Sequence, residues 1–325
     1  MKRQNNLSLS ESDIIGHHSH RYRVIPEWGV PEPGKYPVND CHEMVIDSAQ
    51  QIYLLTNEVR NNILVYNRSG KIIKSWGNDF PGGHGLTLSS ENSEEFLFIT
   101  DHVRHQVIKT TMDGRVLMII DYPVETGAYA SAEQFNPTET AIAANGDIYV
   151  TDGYGLQFVI QYSGNGEYIR HWGGSGNAEE QFDCVHGIVV DRRKENDPSL
   201  LVTSRNHNAF KRFTMEGVYL ETINLPGSFV CRPVIKGENM YAAVFRSESN
   251  LKSGSGYTTI LDKDNKVIST PGGTEPTYHH NKLEPQQQYT NTFIHPHDIC
   301  IDSDENIYVC QWKSNKTYPV KLERV

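Results

Sequence analysis

The chain has 325 residues, of which 37% are hydrophobic and 22% charged, with a formal net charge of −10. That balance suits a globular protein with a full core. It excludes a nucleic-acid binder, which needs clustered Lys and Arg to neutralise phosphates. No apolar run is long enough to span a bilayer as a helix, so no membrane partner is expected. The first residues, "MKRQNNLSLSESDIIG", carry no apolar core of a secretory signal, and the cytoplasm is the expected compartment. The five cysteines are scattered without a CxxC, which gives neither a zinc-finger spacing nor a disulfide framework.

Along the chain one phrase recurs, a strand of β-branched and aromatic residues entered from a polar turn. It reads "QQIYLLT" at 50–56, "EEFLFIT" at 94–100, "GDIYVTD" at 146–152, "PSLLVTS" at 198–204, "ENMYAAVF" at 238–245 and "ENIYVCQ" at 305–311. An apolar strand precedes each copy: "MVID", "GLTL", "TAIA", "GIVVD", "PVIK" and "DICID". A third strand and a polar turn come after it, as in "ILVYNRSG" and "FVIQYSGNG". A short fourth strand twice ends in Trp-Gly, as "KIIKSWG" and "EYIRHWG". The apolar residues alternate or run in short blocks, and no helical period competes. Six units of four short antiparallel strands predict an all-β fold, a six-bladed β-propeller. The last unit lacks a fourth strand. "RYRVIPEWGV" at 21–30 ends in Trp-Gly and is expected to complete it, closing the ring. Residues 1–20, including "HHSH" at 17–20, are then expected to form a flexible tail, with one domain over 21–325.

The entrances of the innermost strands carry the chemistry. They hold His42 in unit one, His84 in unit two, Thr138 in unit three, His186 in unit four, Cys231 or Arg232 in unit five and His297 in unit six. His84, His186 and His297 alternate around the ring, about 120° apart in a six-fold arrangement. Three imidazoles at one height on the axis form a trigonal face for one metal ion. With an open fourth position this is a known catalytic zinc arrangement. His42 stands at the same level, as a fourth ligand, a supporting partner or a plain channel residue.

The stretches "GHGLTL", "TDGYGLQFVIQYSGNGEYIRHWG", "QFDCVHGIVVD" and "HPHDICID" resemble the peptidyl-α-hydroxyglycine α-amidating lyase family, built on NHL-type repeats, over roughly residues 21–315. The resemblance implies a six-bladed propeller with zinc on His84, His186 and His297. It also implies a structural calcium bound by Asp298 and the Leu86 carbonyl. The implied reaction splits a carbinolamide into an amide and glyoxylate, with Tyr154 as base and Arg205 poising it. The implied substrate is a small molecule or a peptide C-terminus. The sequence departs from the family in the blade-one loop "TNEVRNN". There Glu58 stands where the family has Arg, and Arg60 comes two places on. Glu58, Arg60 and His42 are therefore read as substrate-facing or supporting residues. Ser204 replaces the usual Asp before Arg205. Two other readings fit the same ring: a metal-dependent hydrolase of lactonase or esterase type, and a non-catalytic NHL interaction module.

Overall fold

A computed structural model describes residues 14–25, 27–30, 34–194, 196–248 and 254–325. Their architecture is the expected six-bladed propeller. Blade one is an antiparallel meander of Cys41–Ile46, Ile52–Thr56, Ile63–Tyr66 and Ile72–Trp76. Blade two runs through Gly83–Glu91, Glu94–Asp101, Gln106–Thr111 and Val116–Ile120. Blade three uses Glu139–Ile142, Ile148–Thr151, Phe158–Tyr162 and Tyr168–Gly173. Blade four uses Val185–Asp191, Ser199–Ser204, Ala209–Phe213 and Tyr219–Asn224.

Blade five is irregular on the axis. Its innermost strand is split into Phe229–Val230 and Val234–Lys236, and both pieces pair with Asn239–Arg246. Pro233 lies in the gap, where it has no N–H to give to a ladder. Tyr257–Leu261 and Val267–Ser269 complete the blade.

Blade six joins the chain ends. Pro296–Ile301, Ile307–Gln311 and Val320–Arg324 pair in order, and His20–Ile25 pairs with Val320–Arg324. The expected tail needs correction at its inner end. Ile14–His17 is a strand that pairs with His20–Ile25 and makes blade six five-stranded. The polar "HHSH" hid it. His17 Nδ1 accepts the Thr270 N–H at 3.2 Å, and His18 lies 3.5 Å from Glu275. The rest of the expected tail, residues 1–13, lies outside the described residues.

Each pair of neighbouring blades encloses its own apolar cluster. Val45, Leu55, Leu86, Leu97 and Ile99 fill the space between blades one and two. Ala141, Tyr149, Ile188, Leu200 and Val202 fill that between blades three and four. Alternation along the strands sends these side chains sideways into the blade interfaces. The recurring Trp works at the rim, where Trp76 covers Gly114 and Trp172 covers Gly217. A Cβ on either glycine would come within 2.5 Å of an indole carbon. All five cysteines are free thiols. Among the described residues no helix is long and apolar enough to cross a membrane.

Candidate metal centre

Four histidines stand in breaks of register between an innermost strand and its neighbour. The breaks fall at Cys41/Glu43 around His42, Gly83/Leu86 around His84, Val185/Ile188 around His186 and Pro296/Asp298 around His297. A bulge re-aims the side chain it contains, and each of these imidazoles is brought onto the axis. All four are buried, at 1–4% exposure. His84 and His297 lie 4.9 Å apart by ring centroid. His42 is 5.1 Å from both. His186 is 4.7 Å from His84 and 4.9 Å from His297. The order of blades puts His42 and His186 on opposite sides of the His84–His297 pair.

The hydrogen bonds fix two tautomers. His84 Nδ1 is 2.8 Å from the Thr138 carbonyl, and His297 Nδ1 is 2.8 Å from the His42 carbonyl. A carbonyl only accepts, so both Nδ1 atoms carry the proton and both Nε2 atoms present a lone pair. Such backing of a ring nitrogen by a carbonyl is how metal-binding histidines are oriented. Tyr154 Oη lies 3.0 Å from His84 Nε2 and 3.1 Å from His186 Nε2. Since His84 Nε2 has no proton, the phenol donates to it and accepts from the His186 Nε2–H. Nδ1 of His42 and Nδ1 of His186 are buried without a hydrogen-bond partner.

Burial holds His84, His186 and His297 well below the ordinary imidazole value and lowers His42 to about 4. Charge on one ring would also repel the next. The cluster is therefore neutral at physiological pH, the form that ligates metal. Ligand atoms of His42, His84 and His297 lie within 4.8 Å of one another, a group able to hold an ion. Neutral nitrogen donors, two carbonyl-backed rings and two buried orphan nitrogens all fit a divalent transition metal. The sequence reading put His186 in the trio and left His42 open. The structure brings all four rings together: His186 is nearer to His84 and His297 by ring centroid, while His42 is the ring whose ligand atom groups with theirs within 4.8 Å.

The groups around the cluster come from the loops after the second strands. Tyr154 is held by Asp152, whose carboxylate accepts from the N–H groups of Asn136 and Leu156 at 2.6 Å and from Tyr129 Oη at 2.7 Å. Gly153 is pressed against the strand of His186, where a Cβ would come 2.1 Å from the Val185 oxygen. Tyr154 is 44% exposed, so the ring reaches solvent while its hydroxyl rests on two buried imidazoles. Burial raises the pKa of its hydroxyl, and Arg205 partly opposes that. Arg205 is 6% exposed, with Nη2 3.0 Å from Cys231 Sγ and its guanidinium 4.9 Å above the Phe245 ring. Ser204 takes over the turn-holding work of the missing Asp, its Oγ accepting the Asp183 N–H at 3.1 Å. In the blade-one loop Arg60 grips Glu58 with two bonds of 2.8 Å. That pair is self-neutralised, and it is not a bare acid facing the channel.

Sequence reasoning missed other residues of this mouth. His102 sits 6.4 Å from His84 and 5.9 Å from Tyr154. The echo of "TDH" in "TDG" was its signal. Phe245 stacks on His295 at 5.1 Å, tilts against Trp312 at 5.5 Å and meets the edge of His297 at 6.2 Å.

One residue further along each innermost strand lies a second layer. Glu43, Glu139 and Asp298 come directly after His42, Thr138 and His297, and Arg232 comes directly after Cys231. Arg232 Nε is 2.8 Å from Glu43 and 3.6 Å from Glu139, and Nη2 is 2.9 Å from Asp298. Nη2 also donates to the Met44 carbonyl at 3.0 Å, and Asp298 Oδ2 accepts the Met44 N–H at 3.0 Å. In the structure the cation against Asp298, the residue implied together with the Leu86 carbonyl as a calcium ligand, is the Arg232 guanidinium. Leu86 packs in the core between blades one and two. Burial raises Glu43 well above the usual carboxylate range and Asp298 to about 6, with Arg232 opposing both shifts.

No family model matches the chain. It is 36% identical to peptidyl-alpha-hydroxyglycine alpha-amidating lyase 1 of Drosophila melanogaster over 110 residues, 32% of this chain and 19% of that protein. It is 25% identical to human NHL repeat-containing protein 3 over 179 residues, covering 52% of this chain and 51% of that protein. The matches thus span about half or less of these relatives' length. Among solved structures, a gluconolactonase from Xanthomonas campestris superposes with a TM-score of 0.65 over 95% of this chain and 94% of that one, at 11% identity. That likeness is one of fold. Ring, repeats and relatives together identify the chain as an NHL-repeat β-propeller, distantly related to the amidating lyases.

Proposed function

We propose that the protein is a metal-dependent lyase that cleaves a carbinolamide-like C–N bond at the mouth of its central channel. The observation that carries this reading is Tyr154 Oη, set between two imidazoles of a neutral histidine cluster with Arg205 beside it. By resemblance the metal ligands are His84, His186 and His297, and zinc is the metal a three-imidazole face with an open position favours. When bound, the ion supplies positive charge that polarises a substrate oxygen and favours an ionised phenol nearby.

Tyr154 then takes the proton from the substrate hydroxyl. As that C–O bond becomes a carbonyl, the C–N bond breaks with its electron pair going to nitrogen, which takes up the proton that Tyr154 has just accepted. With an α-hydroxyglycine the products are an amide and glyoxylate. Arg205 opposes the upward shift that burial imposes on Tyr154, which helps a phenol act as a base. The aromatic wall of Phe245 and Trp312 offers apolar area to the remainder of the substrate, a small molecule or a peptide C-terminus.

The test combines metal analysis with turnover. Stoichiometric divalent metal in the purified protein and glyoxylate release from an α-hydroxyglycine compound are the expected results. Ester or lactone hydrolysis without glyoxylate would replace the lyase by a hydrolase. Absence of stoichiometric metal would leave a non-catalytic propeller.

A further inference from the structure

We propose that His42 is itself a metal ligand, so that the centre is a four-imidazole site built on the His84–His297 pair. The inference rests on the metal-binding reading above and narrows it. Three observations carry it. The group with metal spacing is His42, His84 and His297. His42 is placed by the same kind of bulge as the other three rings, and at 4% exposure its Nδ1 has no partner. A buried ring nitrogen left unpaired costs stability unless something fills its neighbourhood. The ring also lies on the opposite side of the central pair from His186, so both can face one ion without competing for the same direction.

Four neutral imidazoles change what the site selects. Tetrahedral zinc on four imidazoles has no place left for substrate, as in structural sites. An ion that takes four nitrogens and still accepts an oxygen must be five- or six-coordinate. First-row ions of the iron, cobalt, nickel and copper group meet that demand with imidazole donors. The open position then falls on the side of Tyr154, whose hydroxyl already rests on His84 and His186.

The nitrogen count can be read directly. Metal-free protein given one equivalent of copper(II) is examined by electron paramagnetic resonance, for wild type, His42→Phe and His186→Phe. The proposal expects nitrogen splitting from four imidazoles in wild type and from three in each variant. Should His42→Phe fail to fold, the wild-type spectrum alone still decides. Splitting from three nitrogens in wild type, unchanged by His42→Phe, overturns the proposal and leaves the three-histidine reading intact. Failure of wild type to bind copper(II), nickel(II) or zinc(II) at all overturns the metal-binding reading, and this inference with it.

Discussion

Two layers of the same channel, one residue apart in sequence, solve the problem of burial in opposite ways. The upper layer gathers four neutral imidazoles and contains no cation of its own. The lower layer gathers three carboxylates and supplies the cation from the chain, as Arg232. A layer neutralised from within is finished when the chain folds. A layer with orphaned ring nitrogens, His42 Nδ1 and His186 Nδ1, has polar atoms left over, which on the metal-binding proposal are there for a guest. The difference traces to the residue just inside each strand entrance. Gly85 and Gly187 bring no side chain to the lower layer beneath His84 and His186, where a Cβ would meet the Thr138 oxygen at 2.6 Å and Arg232 Cα at 2.5 Å.

The sharpest way to break this contrast is to remove the internal cation. Arg232→Met keeps a long stem and strands Glu43, Glu139 and Asp298 together. Breaking a buried ion cluster by removing one partner costs about 3–5 kcal/mol. Urea unfolding at neutral pH in chelator should show that loss, and added calcium should restore part of it, because the lower layer would then need a guest as well. Wild-type stability in Arg232→Met would show that the guanidinium does not hold the layer.

The upper layer is probed through Tyr154. Tyr154→Phe keeps the ring and deletes the hydroxyl, so the fold and metal content should stand. Loss of a positioned base lowers rate by about 10²–10⁴-fold. The expected fall is in kcat for glyoxylate release, with little change in KM. Unchanged kcat would take Tyr154 out of the reaction.

The two layers were unequally legible in the sequence. The propeller could be read because each blade repeats the same alternation and the same turn residues, and His84, His186 and His297 could be aligned because each heads an apolar run. The bulges could not be read. One extra residue at each entrance decides whether Cys231 or Arg232 stands at histidine level, and the structure puts Arg232 one layer lower. Its reach across the axis to three other blades is a tertiary contact with no local signature. His42 was visible at the right height, but which ring lies near which depends on side-chain direction within a bulge. Ile14–His17 was missed because a histidine-rich edge strand has little apolar patterning to show.

A smaller effect links the layers through their spacing. Gly187→Ala would push a methyl into Arg232 and shift the bulge that carries His186. Overpacking of this kind costs about 1–3 kcal/mol. Thermal unfolding should register that loss, and metal affinity should fall in the same variant. Reduced stability with untouched metal affinity would show that the layers are mechanically independent.

The smallest effect tests whether charge ratio sets the contrast. Around Arg232 three carboxylates share one guanidinium, and Asp298 is raised. At Asp191 two guanidiniums serve one carboxylate: Arg193 Nη2 and Arg212 Nη1 each lie 2.8 Å from Oδ2. Burial pushes this carboxyl up, but the hydrogen bonds from Arg193 and Arg212 outweigh it and hold Asp191 at about 2, below its unfolded value of 3.8. A carboxylate lowered by folding contributes stability above its unfolded value and loses it as pH falls through the folded one. The contribution is thus full at pH 5 and fades between about pH 4 and pH 2, on the order of 2 kcal/mol at most. Urea unfolding of wild type and Asp191→Asn at pH 5, 4 and 3 should show a gap that narrows as the solution is acidified. A gap that stays constant would mean that Asp191 titrates alike in both states, and that two guanidiniums against one acid do not invert the balance seen around Arg232.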